Sequence, residues 1–232
     1  MPLVCLIDDH QLFSASLAVA LRTEGFDVHT PQLTSLESVR QTVVLRHPEV
    51  VILDRDLAAL GNGEELLPPL TRAGCPVMIV SATLDDVVIG RCLAAGAVAC
   101  LQKNEPFGVL LATIASVTRG EAPMPEAERY RLIDAWRRWQ SSADVIAGAF
   151  AQLTPREASV LGQLMDGRSV RAIAKTCFVS EATVRTHVRG ILTKLEVASQ
   201  LEAVVLAVQS GWHPDGAGGP GTSHAAGVAA RT

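Results

Sequence analysis

The chain is short of aromatic residues. Five Phe, three Trp and one Tyr make up 4% of 232 residues, while apolar residues reach 48%. Such a core must be aliphatic, and the balance is that of a globular protein, not a disordered one. Long apolar runs are missing too: none approaches the ~20 residues that a membrane helix needs. The opening MPLVCLIDD has no positive flank ahead of its short apolar run, so it reads as a strand and not as a secretion signal. The five cysteines (Cys5, Cys75, Cys92, Cys100, Cys177) include no CxxC pair and mostly sit in apolar stretches. That argues against a zinc site and against disulfides, and fits buried thiols in a reducing cytosol. A large net charge is also absent, the sum being −4. Its sign is uneven, however. Residues 1–120 carry 13 acids against 8 Lys and Arg, and residues 151–210 carry 7 Lys and Arg against 5 acids. An acidic half and a weakly basic half suggest two small domains with different partners.

What is present in the first half is alternation. Short apolar runs recur at residues 3–7, 27–30, 50–53, 77–80 and 97–101, and helical patterns lie between them. Residues 11–24 stop at Gly25, a natural left-handed cap. The stretch TSLE reads as a capping box of Thr34 and Glu37. Residues 64–73 contain Pro68 and Pro69, so that helix is short or kinked. Residues 85–95 stop at Gly96, and a fifth helix starts at Pro106 and ends at Gly120. Strict alternation of strand and helix predicts a parallel sheet covered on both faces. In such sheets the site forms beyond the carboxyl ends of the strands.

The polar residues at those ends are Asp8 and Asp9, Asp54, Ser81 and Lys103. Carboxylates converging in one crevice repel each other, and a hard divalent cation with oxygen ligands and waters, Mg²⁺, resolves the repulsion. Asp54, with Asp8 or Asp9 and a backbone carbonyl, would hold it. Lys103 adds a cation and Ser81 a hydroxyl donor. A metal, a cation, a donor and a carboxylate nucleophile are what acyl-phosphate formation requires. The competing structural reading is that strand-end acids cap the next helix, as Asp9 could cap the first. It does not account for five such residues on four strands.

The array of Asp8–Asp9, Asp54, Ser81–Ala82 and Lys103, with the opening DDHQLF, resembles the receiver domain of two-component response regulators over residues 3–120. The resemblance implies a flavodoxin-like five-stranded α/β domain at 1–120. Asp54 would accept phosphate from a histidine kinase. Asp8, Asp9 and the Asp56 carbonyl would bind Mg²⁺ with Asp54, and Lys103 and Ser81 would contact the phosphoryl group. Three departures stand out. Ala58 replaces a common proline and the loop to Gly63 is one residue longer; Cys100 replaces the aromatic three residues before the lysine; and Asp56 brings a carboxylate expected to alter acyl-phosphate lifetime.

Residues 121–150 form a linker: a break at EAPMP, a helix over 126–140 carrying Trp136 and Trp139 on one face, then a loose connector, SSADVIAGAF. Residues 151–210 read as a small all-α domain of four helices. Thr154–Pro155–Arg156–Glu157 is a capping box with Pro in the first turn. A short helix, the turn CFVS and a helix with Val184, Val188, Ile191, Leu192 and Leu195 on one stripe describe a helix-turn-helix whose exposed face can enter the major groove. The run from LTPREASV to ILTKLEV is similar to the LuxR-type pattern. By that resemblance Arg185, Thr186 and Arg189 face DNA, and Lys175, Thr183, His187 and Lys194 lie near its backbone. Glu157 is a buried acid, Glu196 stands where glycine is usual, and the last helix carries a dimer contact. Residues 211–232 are Gly- and Ala-rich and read as a disordered tail.

The resulting expectation is a cytoplasmic, non-enzymatic transcription regulator that binds DNA as a homodimer under control of Asp54 phosphorylation. One alternative is an orphan regulator that binds DNA without phosphate. Another, of a different class, is a haloacid-dehalogenase-like phosphatase, since Asp54–Arg55–Asp56 matches its DxD.

Overall fold

The computed structural model describes residues 1–214. The chain divides into two compact units, Met1–Trp139 and Gln140 onward. The first alternates β1 (Leu3–Ile7), α1 (Gln11–Thr23), β2 (Asp27–His29), α2 (Leu36–Arg46), β3 (Val50–Asp54), α3 (Leu67–Arg72), β4 (Val77–Ser81), α4 (Asp86–Ala94), β5 (Ala99–Gln102) and α5 (Phe107–Thr118). The sheet is parallel throughout, in the order β2-β1-β3-β4-β5. β1 and β3 are therefore neighbours at the point where the winding reverses, and a crevice opens beyond their carboxyl ends.

The unbroken apolar runs follow from burial on both faces. Val51 and Leu53 pack with α2 and α3, alongside Val39, Val43, Leu67 and Leu70. Val50 and Ile52 pack on the other side with α1 and α5, through Leu17, Leu21, Leu110 and Ile114. Successive strand residues point to opposite faces, so a strand covered twice has no polar alternation.

Local signals held in part. The prolines shorten α3 to six residues, preceded by a 3₁₀ turn at Gly63–Leu66. The cap of α2 is Ser35, which accepts from the Ser38 N–H, and not Thr34; Glu37 is occupied by Arg40 and Gln41. His10, not Asp9, occupies the N-cap position of α1, and no side chain caps it.

The expected loose connector is helical. α6 runs without a break over Glu126–Ala151. Its first half belongs to the first unit: Arg129 donates to the Leu93 and Ala97 carbonyls, and Trp136 meets Gly90. Trp139 stays half exposed. In its second half Ile146, Ala149 and Phe150 lie three and four apart and enter the core of the second unit. Tertiary packing of that face supplies what the weak local propensity of SSADVIAGAF does not.

The second unit continues with α7 (Pro155–Met165), α8 (Val170–Thr176), α9 (Glu181–Lys194) and α10 (Gln200–Gln209). The predicted capping box on α7 is present, with Thr154 and Glu157 bonding reciprocally. The tail expectation is corrected for its first residues. Trp212 stacks on Phe150 with ring centroids 5.1 Å apart, and Pro214 lies against Gly162. The rest of that tail lies outside the described residues.

Candidate functional sites

β1 and β3 pair through Ile7 and Leu53, so the next residue of each, Asp8 and Asp54, emerges side by side at the crevice. Both are buried, at 7% and 2% exposure. Asp54 lies opposite Val80, which places Ser81 one residue further out on β4. The Ser81 carbonyl accepts the Lys103 N–H at 2.9 Å and anchors the start of the loop after β5. The Lys103 ammonium then reaches back across the site, 2.7 Å from Asp54 Oδ2 and 2.7 Å from Asp8 Oδ2. The Phe13 ring backs it, 4.8 Å from its centroid, a favourable cation–π placement. The four strand ends thus deliver Asp8, Asp9, Asp54, Ser81 and Lys103 to one region, as their positions in the sequence predicted.

His10 was not foreseen. Its N–H donates to Asp8 Oδ1 at 2.8 Å, and its Nδ1 lies 3.1 Å from Asp8 Oδ1, 3.1 Å from Asp9 Oδ1 and 3.3 Å from Asp54 Oδ2. The only signal for it was its place after two acids in DDH.

Burial pushes the Asp54 carboxyl above its ordinary value, and the neighbouring Asp8 charge adds to this; the Lys103 hydrogen bond opposes it. Burial pulls Lys103 down, but hydrogen bonds to Asp54 and Asp8 more than offset it, so the ammonium is held in its charged form. One ammonium against three carboxylates leaves the cluster short of positive charge. Asp9 Oδ1 is buried and makes no hydrogen bond, although His10 Nδ1 is near. A buried acceptor left without a donor costs about 1–3 kcal/mol, and a divalent cation bound among Asp8, Asp9 and Asp54 would satisfy it. These residues therefore fit a hard cation. A cleft of about 670 Å³, lined by Asp8, Asp9, Gln11, Ser14 and Arg22 among others, gives water access from one side.

The departures around the pocket have physical consequences. Ala58 has φ of 43°, a left-handed value that proline, fixed near −65°, cannot adopt. The longer loop closes through Asp56 and Asn62, which bridge across it. Asp56 is exposed and its carboxylate accepts the Ala58 N–H, so the loop itself uses the side chain that was expected to act on the phosphoryl group. Arg55 reaches Thr83, and Glu64 holds Arg91. Cys100 lies against Cys92, and that contact together with burial raises its thiol pKa, so it stays protonated.

In the second unit, Val184 and Ile191 of α9 are buried, while Arg185, Thr186 and Arg189 on the other side are exposed. Lys175 on α8 and Thr183 are exposed and His187 is half-buried. Thr183 Oγ1 is 2.8 Å from the Ser180 cap. Lys194, expected near a DNA backbone, has a partner within the domain. Its Nζ binds Glu157 Oε2 at 2.6 Å, inside the domain, where Glu157 also accepts from the Thr154 N–H and hydroxyl. Gly190 lies where a Cβ would collide with that same carboxylate.

With this geometry in hand, comparison with known proteins is specific. Residues 4–115 match the response regulator receiver domain model, and residues 151–207 match that of bacterial regulatory proteins of the luxR family. A nitrate/nitrite response regulator protein homolog from Haemophilus influenzae is 30% identical over 88% of this chain and 94% of its own length. The transcriptional regulatory protein DegU of Brevibacillus brevis is 28% identical over 90% of this chain and 94% of its own. Among solved structures, response regulator ChrA of a heme-sensing two-component system aligns over 89% of this chain and 96% of its own, at 26% identity and TM-score 0.47. Two domain models in series, and a 30% identical relative matched almost end to end, place this chain among the response regulators that join a receiver to a LuxR-type DNA-binding domain, as a transcription regulator.

Proposed function

We propose that Asp54 accepts a phosphoryl group from a histidine kinase and that its phosphorylation controls DNA binding by the C-terminal domain. The observation that carries this is Lys103 Nζ at 2.7 Å from both Asp54 and Asp8, a cation already placed at a buried carboxylate. In transfer, an Asp54 oxygen forms the bond to phosphorus as the bond to the donor histidine nitrogen breaks, and that nitrogen keeps the electron pair. The Lys103 ammonium, released from Asp54, neutralises one phosphoryl oxygen, and the Ser81 hydroxyl donates to another. Asp8, Asp9, Asp54 and the Asp56 carbonyl would hold Mg²⁺, which supplies charge compensation for the transferred group. We take residues 1–120 as the receiver, 121–150 as the joining segment and 151–210 as the DNA-binding domain. Arg185, Thr186 and Arg189 would read bases, and Lys175, Thr183 and His187 would contact phosphates.

A dimer through α10 is supported by Leu201, Val205 and Val208, an exposed apolar stripe spaced four and three apart. The phosphatase alternative is disfavoured because Asp54–Arg55–Asp56 follows the third strand and not the first, and it leaves the C-terminal DNA-binding domain unexplained. The orphan reading is the one to test. Treatment with acetyl phosphate should give one aspartyl phosphate per chain, absent in Asp54→Asn. Genome-wide mapping of bound DNA should change between wild type and Asp54→Ala. An unchanged map would make this a constitutive regulator.

A further inference from the structure

We propose that His10 is a metal ligand, its Nδ1 joining Asp8, Asp9 and Asp54 in a mixed nitrogen–oxygen site that favours a first-row transition cation, typified by Mn²⁺, over Mg²⁺. The proposal rests on the metal-pocket reading above and adds to it a donor and a metal class.

The geometry is the first support. An octahedral ion with bonds of about 2.1 Å sets adjacent ligand atoms about 3.0 Å apart. His10 Nδ1 is 3.1, 3.1 and 3.3 Å from one oxygen each of Asp8, Asp9 and Asp54. All four ligand atoms lie within 4.8 Å of one another, a little wider than the about 4.2 Å that separates opposite ligands of such a shell, so binding would draw the carboxylates in by a few tenths of an ångström. The residue is also fixed in place: its N–H is bonded to Asp8 Oδ1, and it occupies the N-cap position of α1. The ring is 62% exposed at the mouth of the pocket, which leaves one side open to water and to a phosphoryl oxygen.

The chemistry is the second support. The ring nitrogen nearest the acids is the one that an imidazole offers to a metal as a lone pair, so a cation shared with the three carboxylates would use all four groups at once. Among the residues around the ring, Lys103 lies 3.2 Å from Nδ1 and already spans Asp8 and Asp54. An ion in the pocket would take over its charge and leave the ammonium for the phosphoryl group. Mg²⁺ prefers carboxylates and water and gives up its hydration reluctantly. Imidazole suits first-row transition ions, the later ones most, while carboxylates suit Mn²⁺ as well as Mg²⁺; one nitrogen among three carboxylates therefore adds affinity for transition ions that Mg²⁺ does not share, and Mn²⁺, the weakest of that series, is the most conservative case.

The test uses the full-length, tag-free protein loaded with one equivalent of Mn²⁺. Pulsed electron paramagnetic resonance should show ¹⁴N modulation from a directly bound imidazole, and His10→Ala should abolish it. The chain has six His, so the variant is what assigns the signal. By calorimetry, His10→Ala should lower Mn²⁺ affinity about tenfold or more, while Mg²⁺ affinity changes less than about twofold. A wild-type spectrum without nitrogen coupling, or equal losses for the two ions, overturns the assignment and makes His10 a hydrogen-bond donor to Asp8 only. Asp9→Asn separates the two levels of the argument. If it leaves Mn²⁺ binding intact, the metal pocket itself fails and this proposal with it. If it abolishes binding while His10→Ala keeps its nitrogen signal, only the His10 assignment fails.

Discussion

Glu157 shows how one buried acid organises a small domain. Burial alone would raise its pKa, but hydrogen bonds from Lys194 and from the Thr154 N–H and hydroxyl overcome that and hold it below the ordinary 4.5. A carboxylate whose folded pKa is depressed stabilises the fold above its unfolded value and loses that stabilisation as pH falls through the folded one. Glu157→Gln should therefore destabilise the C-terminal domain by about 1–3 kcal/mol at pH 7. The gap to wild type should close as pH drops below 4.5, and urea unfolding followed by circular dichroism at several pH values measures it. A gap that stays constant with pH would mean that the ion pair contributes nothing. The same pair explains a limit of sequence reading. Asp8, Asp9, Asp54, Ser81 and Lys103 were legible because each ends an apolar run, and such runs mark strand ends. The partner of Lys194 was not legible, because a basic residue on a helix looks solvated until its partner, 37 positions away, is located. His10 carried no periodic signal at all, and only the folded geometry shows that its ring faces three acids.

At the scale of elements, the four strands β1, β3, β4 and β5 were readable as apolar runs between helical patterns, while β2, an edge strand reading DVH with Val28 alone buried, was marked mainly by its place in the alternation. The length of α6 was not readable. Its second half has few strong helix signals, and its helicity comes from Phe150, Ile146 and Ala149 packing into a core made by distant helices. Gly63 illustrates a constraint that only the loop geometry exposes. Its N–H donates to the Arg55 carbonyl at 2.7 Å, and an added Cβ would run into the Asp54 carbonyl. Backbone cannot retreat from backbone there without moving Asp54. Gly63→Ala should cost about 2 kcal/mol or more and slow formation of the aspartyl phosphate. Gly108, early in α5 with open space around it, is the control. Gly108→Ala should be neutral or stabilising by up to about 1 kcal/mol. Thermal melts and phosphorylation time courses of the two variants check this, and equal behaviour would remove the constraint.

At the scale of the molecule, two units with separate cores share one continuous helix, and their charges divide the work. The chain is net negative, so DNA affinity cannot rest on overall attraction and must come from a local face. On the proposed reading that face would combine the exposed α9 arginines with the exposed Lys175 of α8, and the two kinds of contact would respond differently to salt. A lysine on phosphate releases counterions without reading sequence, so Lys175→Ala should reduce the slope of log affinity against log salt by about 0.9 for each subunit bound. It should weaken specific and nonspecific DNA alike. Arg189→Ala should instead cost about 1–3 kcal/mol on a bound site and little on random DNA, because a guanidinium in the major groove discriminates base edges. Lys194→Ala should leave the salt slope unchanged and lower stability, because its ammonium is bound to Glu157 inside the domain. Fluorescence anisotropy with a fragment taken from the binding map, repeated across salt concentrations, separates the three. A slope that falls for Lys194→Ala and holds for Lys175→Ala would reverse which lysine meets the phosphate backbone, and with it the orientation in which α9 enters the groove.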